Sequence, residues 1–293
     1  MKQTRKSGKG IKARLRSGRP VLCALANMGS PIASEIVGLC GYDAVMIDLE
    51  HGFGDYAGAV AQLQALAGTP AASLVRVAEN TPVNLKRILD AGPHGVMVPM
   101  ISTRAEAEMA VAACRYAPRG IRGVAHAIAR ASGYGTNVRR YVAQAEYDLL
   151  LICQIENRTG VRNAAAIAAT DGVDMIFLGP MDLSASAGHF NEPDHPEVER
   201  LISEVESAVR SAGKMLGGLA TQGRPAAELF ERGYDLVIDA VDIALLRDAA
   251  VRNVQAARKY TSAPRQRPRP AKPKPKPERI SRASRIRRRR ASR

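Results

Sequence analysis

Short apolar runs alternate along most of the chain with longer segments in which apolar residues recur every three or four positions. Runs that are apolar on both faces are typical of buried parallel strands, and the longer spacing is typical of helices that cover a sheet. The predicted strands are 21–28, 42–48, 73–78, 95–101, 149–156, 174–180, 214–220 and 234–240. The predicted helices are 31–40, 55–67, 82–91, 103–116, 157–169, 195–212, 223–232 and 243–258.

Eight strand and helix units in about 240 residues predict an α/β fold, the (β/α)8 TIM barrel. A doubly wound open sheet is the alternative, but such sheets usually have fewer strands and often a Gly-rich dinucleotide loop, which this sequence lacks. One connection, residues 118–148, is unusually long for a compact domain. We expect it to act as a lid that reaches the active-site mouth or a neighbouring subunit.

The formal net charge of +15 is concentrated at the two ends of the chain. Residues 258–293 contain 16 Lys or Arg and one acidic residue, and residues 1–19 contain eight basic residues and no acidic one. The segment between them has 19 basic and 27 acidic residues, a net charge of −8. We therefore predict a basic N-terminal extension at 1–19, a barrel domain at 20–260 and a disordered Lys/Arg/Pro-rich tail at 261–293.

No run reaches the roughly 18 apolar residues of a membrane helix, and no signal-type apolar stretch directly follows the basic N-terminus. We expect a cytoplasmic protein that does not bind a membrane. The basic tail has three interpretations. It binds nucleic acid or another polyanion non-specifically through phosphate contacts, it is a solvated extension without a partner, or it is the product of an extended reading frame.

Polar side chains stand where several predicted strands end. His51 follows the second strand, Arg76 lies near the end of the third, and Gln154 and Glu156 end the fifth. Asp182 follows the sixth. Because the carboxyl ends of barrel strands share one mouth, these groups should converge there. Paired carboxylates such as Glu156 and Asp182 suit a hard divalent cation, Mg²⁺ or Mn²⁺.

This set of groups can bind and activate a 2-oxo acid. A metal held by Glu156 and Asp182 would chelate the keto oxygen and one carboxylate oxygen, and would stabilise the enolate that forms when C3 loses a proton. Arg76 would add a fixed positive charge beside the enolate oxygen. Leu219, in the Gly-rich end of the seventh strand, would lie beside the substrate.

The remaining groups complete the predicted chemistry. Backbone N–H groups of Met181 and Asp182 could hold the substrate carboxylate. His51 could act as the base, either directly or through a metal-bound water. A carboxylate such as Asp90 or Asp48 could orient the His51 ring.

Seven motifs occur together between residues 47 and 184. They are Ile47-Asp48-Leu49-Glu50-His51, Val75-Arg76-Val77, Leu89-Asp90-Ala91-Gly92, Val98-Pro99-Met100, Arg119-Gly120-Ile121-Arg122-Gly123-Val124, Gln154-Ile155-Glu156 and Gly179-Pro180-Met181-Asp182-Leu183-Ser184. Taken jointly, they resemble the metal-dependent pyruvate aldolases of the 4-hydroxy-2-oxoheptanedioate aldolase family. That group includes the 2-keto-3-deoxy sugar-acid aldolases and belongs to the phosphoenolpyruvate/pyruvate barrel superfamily.

The resemblance implies a class II aldolase, a carbon–carbon lyase that reversibly cleaves a 4-hydroxy-2-oxo acid to pyruvate and an aldehyde through a metal-stabilised pyruvate enolate. It implies that Glu156 and Asp182 ligate Mg²⁺, Mn²⁺ or Co²⁺. It also implies that Arg76 contacts the pyruvyl unit and that His51 and Asp90 form the proton-transfer dyad.

The resemblance further implies that Gln154 lies beside the bound pyruvate. It implies a homo-oligomer, a hexamer or trimer of dimers, whose subunits exchange their C-terminal helices. The sequence departs from the family at two places near the mouth: Ala125-His126 replaces Gly-Ser, and Ala240-Val241 replaces a small Gly-Ser pair before Asp242. The basic tail is not part of the family pattern.

Two other functions compete with the aldolase. The first is a related lyase of the citrate lyase β type that acts on an acyl-CoA thioester, although no sequence feature indicates an adenine-nucleotide pocket. The second is a polyanion-binding protein that uses the barrel only as a scaffold. The complete set of candidate site residues favours the aldolase over this scaffold.

Overall fold

Eight parallel strands close into a barrel in the computed structural model, which describes residues 10–261. The strands are β1 Val21–Ala26, β2 Ala44–Asp48, β3 Ala72–Arg76, β4 Gly95–Val98, β5 Leu150–Ile155, β6 Met175–Leu178, β7 Met215–Leu219 and β8 Leu236–Val241. Each strand pairs with its neighbour in sequence, and β8 pairs with β1. The predicted barrel and all eight strands are confirmed, and no predicted strand end moves by more than three residues.

Twelve α-helices lie within the described residues. They are α1 Ile11–Arg16, α2 Pro31–Leu39, α3 Tyr56–Leu66, α4 Pro82–Ala91, α5 Arg104–Cys114, α6 Val138–Asp148, α7 Arg158–Arg162, α8 Ala164–Ala168, α9 Pro180–Ser186, α10 Pro196–Ser211, α11 Ala226–Glu231 and α12 Asp242–Thr261. Several begin at side-chain caps, because Ser30, Thr81 and Thr103 each accept a backbone N–H of the first turn.

Three segments differ from the predicted helices. The helix predicted at 157–169 is divided at Asn163 into α7 and α8. The long connection at 118–148 is not a plain loop, because it contains a short 3-10 helix at Arg130–Ser132 and then α6, which has no buried residue. The short helix α9 was not predicted, and it begins at Pro180, a residue that is favourable in a first helical turn.

Apolar side chains form two layers, one inside the barrel and one between the strands and the helices. Alternate residues of β1 show the division, because Cys23 and Leu25 point into the barrel whereas Ala24 and Ala26 lie under the helices. Both faces of every strand are therefore covered. This arrangement explains why the strands read as continuous apolar runs.

The helix α1 closes the floor of the barrel, the end formed by the amino ends of the strands. Ile11 and Leu15 pack against the residues inside the barrel. Lys12 Nζ donates to the Leu149 carbonyl at 2.8 Å and lies 2.7 Å from Asp174 Oδ2. Residues 11–16, which lie inside the predicted N-terminal extension, thus form part of the barrel because their apolar side chains seal its floor.

The chain divides into two compact units, one up to Ala249 and one from Ala250 onward. The apolar side chains Ile243, Leu245 and Leu246 of α12 are exposed in the first unit, and Val251 and Val254 are exposed in the second. The tail predicted to be disordered lies outside the described residues from 262 onward. No helix within residues 10–261 is long and apolar enough to cross a membrane.

Candidate active site

The first element of the mouth is a buried ion pair between neighbouring strands. Asp48 ends β2 and Arg76 ends β3, and the register of the sheet places them directly opposite each other. Arg76 Nε and Nη2 donate to the two Asp48 carboxylate oxygens at 2.8 and 2.7 Å. Burial alone would raise the pKa of Asp48, but the hydrogen bonds and charge of Arg76 lower it below its usual value. The pair fixes the guanidinium at the mouth.

A hydrogen-bond chain supports this ion pair from behind. Asn27 Nδ2 donates to Asp48 Oδ2 at 2.7 Å. The Asn27 backbone N–H donates in turn to Asp242 Oδ1 at 2.9 Å, and the Met28 N–H donates to the other oxygen at 3.1 Å. Asp242 therefore joins the start of α12 to the end of β1, and this junction positions Asn27 under Asp48.

Glu50 also lies at the mouth, although no role was predicted for it from the sequence. Its Oε2 lies 3.0 Å from Arg76 Nη1, so Arg76 is held between Asp48 and Glu50. Burial raises the pKa of Glu50, and the nearby carboxylates Asp48 and Asp182 raise it further. Its place in the sequence gave the signal, because Glu50 follows Asp48 by two residues, just beyond the end of β2.

Glu156 occupies a buried position just beyond β5. Its Oε1 accepts the Met100 N–H at 2.7 Å, and its Oε2 accepts a very short hydrogen bond from Gln154 Nε2. Its side chain is close to Gly179, where an added Cβ would lie 2.7 Å from Glu156 Oε2, so only glycine fits this position. Burial, together with the negative charges of Glu50 and Asp182, raises the pKa of Glu156 to about 7.

Asp182 lies in the first turn of α9, which follows β6 at the mouth. A cavity of about 180 Å³ opens between this turn and the strand ends, and its wall is otherwise mostly apolar. The cavity brings together six of the eight residues predicted for the site. These six are His51, Arg76, Gln154, Met181, Asp182 and Leu219. Glu156 borders it through its hydrogen bond with Gln154.

His51 and Asp90 are not brought together within one chain. His51 is 62% exposed, and its Nε2 is 3.9 Å from Glu50 Oε2. Asp90 lies near the end of α4, the end that leads to the floor of the barrel, and its Oδ1 accepts from Arg122 Nη2 at 2.9 Å. Sequence spacing alone could not locate Asp90, because it belongs to a helix and not to a strand end.

Three carboxylates, Glu50, Glu156 and Asp182, influence one another's charge at the mouth. Arg76 forms ion pairs with Asp48 and Glu50, so its positive charge neutralises Glu156 and Asp182 only in part. The oxygen of the Gln154 amide is buried without a hydrogen-bond partner. Oxygen donors with negative charge are the ligands that hard divalent cations prefer. The residues at the mouth therefore fit the predicted metal.

A second cluster of possible ligands lies in the segment after α9. His189, Glu192 and His195 place one ligand atom each within 4.8 Å of one another. The two imidazole rings are stacked 3.5 Å apart at an angle of 16°. A metal ion binds an imidazole nitrogen in the plane of its ring, and nearly parallel stacked rings cannot both meet that condition. The histidine cluster is therefore poorly arranged to bind a metal ion, and the mouth is the better candidate for the metal site.

Comparison with known proteins agrees with this geometry. The family model for HpcH/HpaI aldolase/citrate lyase matches residues 25–249. A hydroxypyruvate/pyruvate aldolase of Chromohalobacter salexigens is 44% identical over 229 residues, which cover 78% of this chain and 90% of that protein. A 5-keto-4-deoxy-D-glucarate aldolase of Klebsiella pneumoniae is 41% identical over 237 residues, covering 81% of this chain and 91% of the relative.

A solved structure of a protein from the same family is also similar to this chain. The HpcH/HpaI aldolase/citrate lyase family protein of Burkholderia cenocepacia is 36% identical, with a TM-score of 0.81 over 85% of this chain and 99% of that chain. The predicted aldolase class, a carbon–carbon lyase, is confirmed, and its family is generally dependent on a divalent metal. The chain belongs to the HpcH/HpaI aldolase/citrate lyase family.

Proposed function

We propose that this class II aldolase reversibly cleaves a 4-hydroxy-2-oxo acid to pyruvate, or to a close analogue such as hydroxypyruvate, and an aldehyde. One observation carries the proposal: Arg76, His51 and Asp182 line one cavity, and Glu156 is bonded to its wall. Two relatives support this substrate class by their names, hydroxypyruvate/pyruvate aldolase and 5-keto-4-deoxy-D-glucarate aldolase.

Glu156 and Asp182 would hold the divalent cation, Mg²⁺, Mn²⁺ or Co²⁺, with Glu50 as a nearby third carboxylate. When bound, the cation would supply Lewis-acid polarisation of the keto oxygen. Gln154 donates to Glu156 and so orients that carboxylate. It also lines the cavity, where it would lie beside the bound pyruvate. This assignment rests on the chemistry of the oxygen donors.

Arg76 would stabilise the negative charge that develops on the enolate oxygen when the carbon–carbon bond breaks. Its guanidinium is fixed by Asp48 and Glu50, and fixed charges need no reorganisation during the reaction. The chain of bonds from Asp242 through Asn27 to Asp48 holds the group in place. Arg76 would therefore present a fixed, partly compensated positive charge to the enolate oxygen in a mostly apolar cavity.

The substrate carboxylate would lie at the start of α9, where the N–H groups of Met181 and Asp182 point toward the mouth in the proposed arrangement. Leu219, Leu25 and Ile238 form an apolar part of the cavity wall. Apolar walls exclude water and strengthen the electrostatic interactions inside the cavity. This part of the wall would lie beside the methyl group of pyruvate.

In the cleavage direction His51, directly or through a water, would take the proton of the C4 hydroxyl as the C3–C4 bond breaks, and it would return a proton to C3 of the enolate. We propose that Asp90 assists it only between two copies of the chain, because Asp90 binds Arg122 within its own subunit. The predicted homo-oligomer, a hexamer or trimer of dimers, would supply the second copy, and the exposed apolar residues of α12 support such an assembly. Mixing the inactive variants His51→Ala and Asp90→Asn tests this. Recovery of activity after subunit exchange supports the shared dyad, and no recovery contradicts it.

A pyruvate-release assay tests the proposed function. A panel of 4-hydroxy-2-oxo acids is offered with EDTA or with added Mg²⁺, Mn²⁺ or Co²⁺, and a β-hydroxyacyl-CoA thioester is offered in parallel. Release of pyruvate or hydroxypyruvate from at least one oxo acid supports the proposal. Cleavage of the thioester alone would favour the citrate lyase type of reaction.

We propose that the enzyme works in the cytoplasm. We propose that the tail from residue 261 onward binds nucleic acid or another polyanion without sequence preference, because residues 261–293 carry 14 basic residues and one acidic residue. Binding to DNA that is lost when the tail is removed, with lyase activity unchanged, would separate the two functions.

A further inference from the structure

A second cavity lies on the floor of the barrel, at the end opposite the mouth. It has a volume of about 440 Å³ and is bounded by α1, the end of α5 and the amino ends of β5, β6 and β7. Five basic side chains line it, against three acidic ones. The basic residues are Lys12, Arg16, Arg115, Arg119 and Lys214.

We propose that this floor cavity binds a small multivalent oxyanion, such as a phosphate ester. Residues 10–257, which include α1, contain 23 basic and 27 acidic residues, a net charge of −4, so a basic cavity is a local feature of an acidic barrel. Positive charge that is collected in a concave site raises the local concentration of anions. This role goes beyond the proposed aldolase activity, because the cavity and the mouth share no lining residue.

Two of the five cations are only partly compensated. Lys214 Nζ donates to the carbonyls of Val173, at 2.7 Å, and Thr170, at 3.4 Å, and has no salt bridge within the described part of the chain. Arg115 pairs with Asp171 at 3.4 Å, but the Asp171 side chain is 96% exposed. An ion pair with an exposed partner compensates little charge, so the charge of Arg115 remains available to an anion. The charge of Lys214 also remains available, because carbonyl groups do not neutralise it.

The backbone at Gly172 leaves room for the Arg115 guanidinium. Gly172 has a φ of +95°, and a Cβ at this position would lie 2.2 Å from Arg115 Nη2. Any other residue would displace the guanidinium from the turn before β6. A fixed guanidinium suits two-point hydrogen bonding with a phosphate or carboxylate group.

The floor cavity also involves α1. Lys12 and Arg16 of α1 share Asp174, which lies 2.7 Å from the first and 3.4 Å from the second. The single negative charge of Asp174 therefore faces two positive charges, those of Lys12 and Arg16. A bound oxyanion would neutralise the excess positive charge. Ligand binding would hold α1 more firmly against the barrel floor.

Isothermal titration calorimetry tests the proposal with three probes: inorganic phosphate, glycerol 3-phosphate and succinate. The full-length enzyme is saturated with pyruvate and Mg²⁺ beforehand to occupy the mouth. We expect saturable binding of one phosphate probe per chain, weakened by added salt. Succinate shows whether the site accepts carboxylates as well as phosphates.

Variants locate the binding. Arg16→Gln and Lys214→Gln should each weaken the binding of glycerol 3-phosphate about tenfold, the effect of one lost charge-assisted contact. Arg104→Gln, which removes an exposed arginine paired with Glu108, should have no effect. Arg16 is largely exposed, so its variant should fold even if the Lys214 variant does not.

Hydrogen exchange supplies an independent measurement, since bound phosphate should slow exchange of the α1 amides. No saturable binding of either phosphate probe, or equal affinity in Arg16→Gln, Lys214→Gln and the control, would overturn the proposal. Binding of glycerol 3-phosphate that is seen only when pyruvate and Mg²⁺ are omitted would overturn it as well, because the anion would then occupy the mouth.

Discussion

Arg76 is bound at two points by Asp48, its direct neighbour across the sheet, and the same guanidinium lines the active-site cavity. The Asp48 side chain is fully buried and that of Arg76 is 12% exposed. In the proposed mechanism, this buried pair stabilises the fold and also fixes the charge that acts in catalysis. A substitution of Arg76 alone should therefore lower both stability and activity. A second substitution, at Asp48, should restore stability without restoring activity.

We expect Arg76→Met to lower turnover by about 10²-fold or more, because a fixed charge beside the enolate is lost. The variant should also lose about 3–5 kcal/mol of unfolding free energy, since Asp48 is left buried without its cation. Urea denaturation and steady-state kinetics measure the two effects. The double variant Asp48→Asn with Arg76→Met should regain most of the stability but none of the activity.

The matched control for this comparison is Arg104→Met, which breaks an exposed salt bridge with Glu108. Its cost should stay below about 1 kcal/mol, and activity should not change. A double variant as unstable as Arg76→Met would show that the lost stability does not come from the unpaired Asp48 charge.

Glu156 should make the stability of the metal-free protein depend on pH. Burial raises its folded-state pKa from 4.5 to about 7, so this carboxyl favours the folded state when protonated. That contribution is fully present below pH 4.5 and is lost as the pH rises to about 7. The loss amounts to at most about 3 kcal/mol.

Glu156→Gln should remove this pH dependence. Its side-chain oxygen can still accept the Met100 N–H, and the Gln154 amide can turn its unpartnered oxygen toward the new NH₂ group. Denaturation in EDTA at pH 5.5 and pH 8 should show that the variant is relatively more stable at the higher pH. Glu108→Gln, an exposed carboxylate, serves as the control. An identical pH dependence in wild type and Glu156→Gln would contradict the buried-carboxylate account.

His51→Ala should slow the exchange of pyruvate C3 protons with solvent. The ring is exposed at the mouth and lines the cavity, so its removal should leave the barrel folded. NMR of pyruvate in deuterated buffer, with the metal present, measures the rate. His126→Ala, at a histidine outside the cavity lining, is the control. An unchanged exchange rate in His51→Ala would exclude His51 as the base and as an essential relay.

Truncation after Thr261 should leave the melting temperature and the lyase activity nearly unchanged. Thr261 ends α12, and the residues beyond it contain only two sizeable apolar side chains, Ile280 and Ile286. Such a segment cannot bury enough surface to offset its ordering entropy. Thermal melting and the pyruvate assay check the prediction, and a large loss of either would show that the segment belongs to the fold.

The sequence predicted the barrel and most of its mouth for one physical reason. Parallel strands buried on both faces give continuous apolar runs, and residues such as Glu156 mark the points where those runs end. The position of α1 could not be predicted, because Ile11 and Leu15 are too few to give a helical period. The arrangement of Asp90 with Arg122 depends on packing between distant segments, which spacing does not reveal.

The central claim is that the carboxylates at the mouth hold a divalent metal that the lyase reaction requires. The most direct measurement is pyruvate release by the EDTA-treated and dialysed enzyme, before and after a divalent cation is restored, for the wild type and for Glu156→Gln. We predict no release without metal, recovery in the wild type and no recovery in the variant. Full activity of the wild type in excess EDTA, or normal metal-restored activity of Glu156→Gln, would contradict the account.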